Sequence, residues 1–281
     1  MTAPREIQQP RIVIRPPFTK TIIFRIGLYV NFDYILSHRR LFEKRKRYME
    51  ILYFDKDIIV ALKPSGILSQ GDSSGMRNMP ELLKKQTGSY YVEAVHRLDR
   101  PVSGVMVFAR NKKAAGKLSA DFANGMTDKE YLAVVAGRPE NDVGVFKDYL
   151  FKDTAHCKSY TVKTLRRGAK EASLEYSTAG ISAAGGQTVS LVKIKLHTGR
   201  THQIRVQFSS RGMPLLGDGK YGSRIDCPLA LISRRLSFRH PSTGKRLEFF
   251  CPVPNTFPWN LFKSVDTDDT VGKRPDDFES V

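Results

Sequence analysis

His96-Arg97-Leu98-Asp99-Arg100-Pro101-Val102-Ser103-Gly104 runs straight into Val105-Met106-Val107-Phe108-Ala109, and this junction of a charged loop with an apolar run organises the reading of the chain. The first part sets a carboxylate beside two arginines and a histidine, then turns at Pro101 and Ser103-Gly104. The second part has the length and unbroken apolar character of a buried strand. Charges pressed against a core strand lose their hydration unless they pair, so the cluster is either a structural ion-pair knot or a site. A carboxylate in such a setting can act as a nucleophile or as an electrostatic stabiliser.

Upstream, Ile58-Ile59-Val60-Ala61-Leu62 reads as a strand ended by the turn signal Lys63-Pro64-Ser65-Gly66. Pro80 to Gln86 suits a short helix, with Pro in its first turn and Gly88 just beyond its end. Downstream, Lys112 to Asn124 is helical, with Ala115, Leu118 and Phe122 on one face and Gly125 placed to end it. Strands then dominate: Glu130 to Ala136, Lys158 to Val162, Ala172 to Thr178 and Thr188 to His197. The last alternates Val192, Ile194 and Leu196 inward against Lys193, Lys195 and His197 outward. Thr201, an N-cap type, opens a helix running to Arg211 and stopped by Gly212. Leu236 and Phe238 alternate with polar neighbours, and a turn at His240-Pro241-Ser242-Thr243-Gly244 leads into Arg246 to Cys251 as a hairpin. Short strands with interspersed helices and no βαβ rhythm predict one α+β domain on a mixed, mostly antiparallel sheet flanked by helices and loops.

The chain has 281 residues, 41% of them hydrophobic and 10% aromatic, enough for a sizeable core. Its 46 Lys and Arg against 28 Asp and Glu give a formal charge of +18, which favours polyanionic partners, nucleic acid first. Residues 1–50 hold eleven Lys or Arg against four Asp or Glu and read as a basic extension. Its clusters His38-Arg39-Arg40 and Lys44-Arg45-Lys46-Arg47 suit an RNA-contacting arm, an organelle-targeting region or a solvated arm. Residues 264–281, with six acids and two bases, have the composition of a disordered acidic tail. The stretch 51–263 is left as the folded body, and residues 1–263 carry +22.

Other chemistries find no support. The apolar run from Phe18 to Phe32 is broken by Lys20 and Arg25 and is too short to span a bilayer, and no signal peptide is visible. Cys157, Cys227 and Cys251 are widely spaced and read as reduced thiols. Gly212 to Lys220 carries Asp218 where a phosphate-binding loop needs its lysine. There is no G-x-G-x-x-G after a strand, no H-E-x-x-H or paired C-x-x-C, and no G-x-S-x-G. Nucleotide cofactors, catalytic zinc and a serine nucleophile are therefore not expected.

Four stretches, taken in order, resemble one family. They are Leu62 to Gly66, His96 to Gly104, Lys129-Glu130-Tyr131, and Leu196 to Val206 followed by Gly217-Asp218-Gly219-Lys220-Tyr221-Gly222. Together, over roughly residues 51–254, they are similar to the RluA-type pseudouridine synthases, which isomerise uridine in structured RNA. The resemblance implies a mixed, mostly antiparallel sheet with the active cleft along it and no cofactor. It also implies Asp99 as nucleophile, attacking ribose carbon 1′ or uracil carbon 6. Tyr131 is then the platform for the flipped uracil and an aid to deprotonation, Arg205 the partner of Asp99, and Arg97 the residue that displaces the base. Residue chemistry fits these roles, since an aromatic face suits an extruded base and Arg suits a two-pronged grip on a carboxylate.

Each residue also has a plainer reading. Tyr131 in an apolar strand is by itself a core residue, and Lys129 fixes local structure or touches phosphate. His96 and His202 read as hydrogen-bonded structural histidines, although His202 joins Lys129 among the candidate RNA contacts. Arg200, Arg211, Lys220 and Arg224 are phosphate contacts or solvated charge. The chain departs from the family pattern at Pro101-Val102, where a hydroxyl-bearing Thr is usual in second place. Gln207 stands for His, and Leu231-Ile232-Ser233 for Leu-His-Ala. No separate RNA-binding domain is recognisable in residues 1–50.

The expectation is a monomeric isomerase that converts specific uridines of rRNA or tRNA to pseudouridine, without a membrane or a nucleotide cofactor. The alternative is a catalytically idle RNA-binding or ribosome-assembly factor on the same fold. The basic N-terminus points to a mitochondrial location, with cytoplasm or nucleus as the alternatives.

Overall fold

A computed structural model describes residues 49–262; the expectations for the basic extension up to residue 48 and for the acidic tail lie outside the described residues. Eleven strands form one sheet. In chain order the elements are β1 (Ile51–Phe54), β2 (Ile58–Lys63), α1 (Met79–Thr87), β3 (Glu93–Ala94), β4 (Ser103–Ala109), α2 (Lys112–Ala123), β5 (Asp128–Ala136), β6 (Val143–Asp153), β7 (Lys158–Val162), β8 (Ala169–Ala184), β9 (Gln187–Leu196), α3 (Gln203–Ser209), β10 (Leu231–Arg239) and β11 (Arg246–Phe250). The spatial order is β1-β2-β4-β10-β5-β9-β8-β6-β7, with β3 on β4 and β11 on β10. β4 and β10 pair in parallel, whereas the other pairings are antiparallel, so the sheet is mixed and mostly antiparallel. Among the described residues no helix is long and apolar enough to cross a membrane.

The unbroken apolar runs of β2 and β4 follow from burial on both faces. Ile59, Ala61, Met106 and Phe108 enter one core with Tyr131, Val192, Ile194 and Phe208. Their alternates Ile58, Val60, Val105 and Val107 enter a second core beneath α2, with Ala114, Ala115 and Leu118. A strand covered on both sides has no polar face, so it shows no alternation. Both long helices start on asparagine caps, the Asn78 and Asn111 side chains accepting from the backbone N–H of Glu81 and Ala114.

Several local expectations are corrected. Ser103-Gly104 is not part of the turn but the first pair of β4. Gly104 has φ +128, and a Cβ there would lie 2.3 Å from the Ser233 carbonyl oxygen, so the β4–β10 crossing requires glycine. α3 spans Gln203–Ser209 rather than Thr201 to Arg211. Its cap is His202 in the left-handed region (φ 55), because the Gln203 Oε1 pulls the chain back by accepting from Thr198 Oγ1 and Arg200 N. At the other end Arg211 N and Gly212 N bond to Phe208 O and Ser209 O, three residues back, which tightens and closes the helix early. β6 is not anticipated by the sequence, since the polar Asp148 stands between buried Phe146 and Leu150 on the same face and breaks the apolar alternation. β8 and β10 extend well beyond the expected stretches.

Candidate active site

Asp99 sits on the loop between β3 and β4, and that loop is fastened to the turn after β2. Leu98 N donates to Ser69 Oγ (2.9 Å) and Ser69 Oγ donates to Leu98 O (2.6 Å). Ser65 Oγ donates to Pro101 O (2.8 Å), and Gly66 N donates to Arg100 O (2.8 Å). Lys63, 1% exposed, extends its ammonium to three carbonyls, those of Pro64, Ile67 and Arg100, at 2.8–3.0 Å. Burial lowers its pKa to about 8, against the opposing pull of the Asp99 charge. Val102 N donates to Asp99 O (2.9 Å) and closes the turn. The Val102 side chain packs into the first core, so at this departure from the family pattern methyl groups fill the place of a hydroxyl.

The opposite wall comes from α3 and the segment after it. Arg205 grips Asp218 with two bonds, Nε–Oδ2 and Nη2–Oδ1, both 2.7 Å. Its Nη1 reaches Asp99 Oδ2 at 3.2 Å. The two-pronged grip expected on Asp99 is thus made on Asp218, and Asp99 receives the remaining prong. Side-chain exposures of 7% for Arg205 and 1% for Asp218 make this a buried pair, while Asp99 at 26% stays open to the cleft. Burial disfavours the charged guanidinium, yet Asp218 and Asp99 outweigh it and raise the Arg205 pKa. Asp218 is reached through Gly217 at φ +75, where a Cβ would strike the Cys227 carbonyl at 2.3 Å. The Arg97 and Arg100 side chains form no ion pair with Asp99 among the described residues, so chain neighbours do not create the knot.

His202 Nε2 lies 3.8 Å from Asp99 Oδ2, and its Nδ1 is 2.9 Å from the Tyr221 hydroxyl. That hydroxyl also accepts from Ser159 N at 2.9 Å, and the Arg205 guanidinium lies over the Tyr221 ring, 5.1 Å from its centre. Burial lowers the His202 pKa against the opposing pull of the Asp99 charge, with Arg205 and Lys220 adding to the lowering. Tyr131, 7% exposed on β5, has its hydroxyl pKa raised by burial and by the Asp99 charge, against a hydrogen bond with Ser233.

A cleft of about 90 Å³ gathers Asp99, Tyr131, Arg205, Arg97, Arg200 and His202, with Val102 and Leu231 as apolar lining. Two candidates are not among its lining residues. The Lys129 ammonium sits 5.9 Å from the Phe122 ring centre, and Lys220 Nζ donates to Cys157 O at 3.0 Å. Gln207 is also elsewhere, fully buried with its Nε2 on Asp148 Oδ2 at 2.7 Å. Ile232 packs in the third apolar cluster, and Ser233 Oγ donates to Val105 O at 3.3 Å. Sequence reasoning missed Asp218 and Lys63 as site residues. The available signals are a lysine directly after an apolar strand and an acid inside the Gly217–Gly222 motif.

Among the described residues, Asp55, Asp57 and His240 have metal-ligand atoms within 4.8 Å of one another. Their lone pairs are largely taken. Asp55 Oδ1 accepts from the N–H groups of Asp57 and Ile58, and its Oδ2 from His240 Nε2, all at 2.8 Å. His240 Nδ1 accepts from the backbone of Ser242 and Thr243. The cluster ties the β1–β2 turn to the β10–β11 turn.

Comparison with known proteins returns one family. The profile of the RNA pseudouridylate synthases matches residues 57–210. An uncharacterized RNA pseudouridine synthase of Aquifex aeolicus is 34% identical over 229 residues, covering 74% of this chain and 71% of that one. The dual-specificity RNA pseudouridine synthase RluA of Yersinia pestis is 33% identical, covering 72% of this chain and 98% of that one. The solved structure of human RNA pseudouridylate synthase domain containing 4 superposes with a TM-score of 0.60 at 25% identity, covering 78% of this chain and 94% of that one.

Proposed function

Because the chain belongs to the RNA pseudouridylate synthase family, we propose that it isomerises specific uridines of rRNA or tRNA, with Asp99 as nucleophile. The observation that carries this reading is the division of labour on the Asp99 carboxylate. Oδ2 is engaged by Arg205 and faced by His202, while Oδ1 has no partner among the described residues and is the attacking oxygen.

The reaction breaks the bond from ribose carbon 1′ to uracil N1, rejoins the sugar at carbon 5, releases the hydrogen of carbon 5 as a proton and leaves N1 to take up a proton from solvent. Product and substrate have the same composition, so neither an oxidant nor a group donor is consumed. A base inside a duplex cannot bring its glycosidic bond to Asp99 in this narrow cleft, so the target nucleotide enters flipped out. Tyr131 supplies the stacking face. Burial keeps it a phenol, so its help in removing the carbon 5 proton is given through a hydrogen bond and not as a phenolate. Arg97 and Arg200, exposed at the cleft, meet phosphate or the displaced partner base.

The test uses unmodified rRNA and tRNA transcripts carrying tritium at uracil carbon 5. Release of label with turnover is expected, and an idle RNA-binding factor would bind these transcripts and release none. Mapping the pseudouridine lost on gene deletion names the target. The acid-poor, basic residues 1–50 support a mitochondrial location, for which a shortened N-terminus on the protein recovered from mitochondria is the check. The monomeric state is read from gel filtration of the full chain.

A further inference from the structure

A second cavity, of about 580 Å³, opens on β6, β7 and β8 and is lined by Lys147, Tyr149, Lys163, Glu171, Ser173 and Thr198, among others. It shares a wall with the catalytic cleft. Arg200, which lines the cleft, donates from Nε to Glu171 O at 2.8 Å. Gln203, also in the cleft wall, accepts from Thr198 Oγ1 at 2.7 Å, and Thr198 Oγ1 in turn accepts from Ser173 N at 2.9 Å. At about 580 Å³ this cavity falls in the size range of ligand sites, roughly 300–1,000 Å³.

Its chemistry matches a nucleotide. Lys147 and Tyr149 are two apart on β6 and project to the same face; across the ladder Lys147 pairs with Ser173, and Tyr149 lies between Glu171 and Val162. An aromatic ring therefore stands next to an ammonium, the arrangement that stacks a base and meets its phosphate. Lys147 and Lys163 are exposed, and neither forms an ion pair among the described residues. The neighbouring Asp148 is already neutralised by Arg211 at 3.0 Å. Glu171 offers a carboxylate that can accept from a base amino group.

We propose that this cavity is a second RNA site, which holds an unpaired nucleotide close to the target uridine on the same strand while the cleft holds the uridine itself. The proposal rests on the reading of the chain as an RNA-modifying enzyme and adds to it a place where target choice is made.

The test compares the full chain with Tyr149→Ala, Tyr149→Phe and the double variant Lys147→Ala, Lys163→Ala, whose melting temperatures should match wild type. Binding of a fluorescein-labelled single-stranded RNA of mixed sequence is followed by anisotropy across a salt series. Tyr149→Ala is expected to weaken binding about tenfold and Tyr149→Phe to restore it. The double variant should flatten the log–log salt slope by about 1.4, from two contacts at about 0.7 each. In the tritium-release assay the loss of kcat/KM should reside in KM. Unchanged affinity and salt slope in Tyr149→Ala and the double variant would overturn the proposal. If wild type releases no label, the enzymatic reading fails while the anisotropy series still decides whether the cavity takes RNA.

Discussion

The two walls of the cleft are held by opposite kinds of force. On the β3–β4 side, the Asp99 loop is fastened by five hydrogen bonds from residues 63–69, and apart from Lys63 every donor and acceptor is neutral. On the α3 side, a buried arginine is shared between two carboxylates. The first wall fixes where Asp99 is, and the second fixes the field it feels. Position and charge are thus set by separate residues, and each can be disturbed without touching Asp99.

The largest stability effect should come from the ionic wall. Asp218→Asn removes the buried counter-charge and sets an amide NH2 against one Arg205 donor, and should destabilise the chain by about 3–5 kcal/mol in urea unfolding. Arg205, no longer held by a charged fork, loses its fixed aim at Asp99, so label release should fall as well. If Asp218→Asn keeps wild-type stability, the buried pair is not what anchors this wall.

The next effect belongs to Lys63. Its pKa, lowered to about 8 in the folded chain and near 10.5 unfolded, makes it neutral when folded and charged when unfolded between those values. The unfolded chain binds the extra proton there, so stability rises with pH across the window, by an amount of order 3 kcal/mol. Unfolding free energies measured from pH 7 to 11 should show this rise in wild type and lack it in Lys63→Met; parallel curves would sink the assignment.

The smallest is Ser69→Ala, which removes both bonds to Leu98 and should cost about 1–2 kcal/mol, since one lost donor and one lost acceptor are both buried. Here the comparison sharpens: a neutral clasp should be insensitive to pH between 6 and 10, unlike its neighbour Lys63. A pH-dependent penalty measured for this variant would mean that the clasp and the lysine are not independent.

Much of the fold is readable from the sequence because the central strands are buried on both faces and advertise themselves as apolar runs. β6 escapes the same reading, since one of its faces is largely exposed and on the other the polar Asp148 separates buried Phe146 from Leu150. The site divides similarly. Asp99, Tyr131 and Arg205 can be picked out by resemblance to motifs, and the cleft does gather them. That Arg205 gives its fork to Asp218 depends on a turn at Gly217 whose shape is set by the approach of the Cys227 carbonyl, a contact with no local sequence signal. The left-handed His202 is hidden for the same reason, as side-chain bonds from Thr198 and Gln203 override the propensity that favours Thr201 as a cap.

The central claim is that Asp99 is the nucleophile, and the most direct measurement is tritium release from uracil carbon 5 by wild type and Asp99→Asn at matched RNA occupancy. Asn keeps the size of the side chain and can still accept from Arg205 Nη1 through its amide oxygen, so RNA binding should stay within about twofold while release falls by at least about 10³-fold. Release by Asp99→Asn at the wild-type rate would contradict the account.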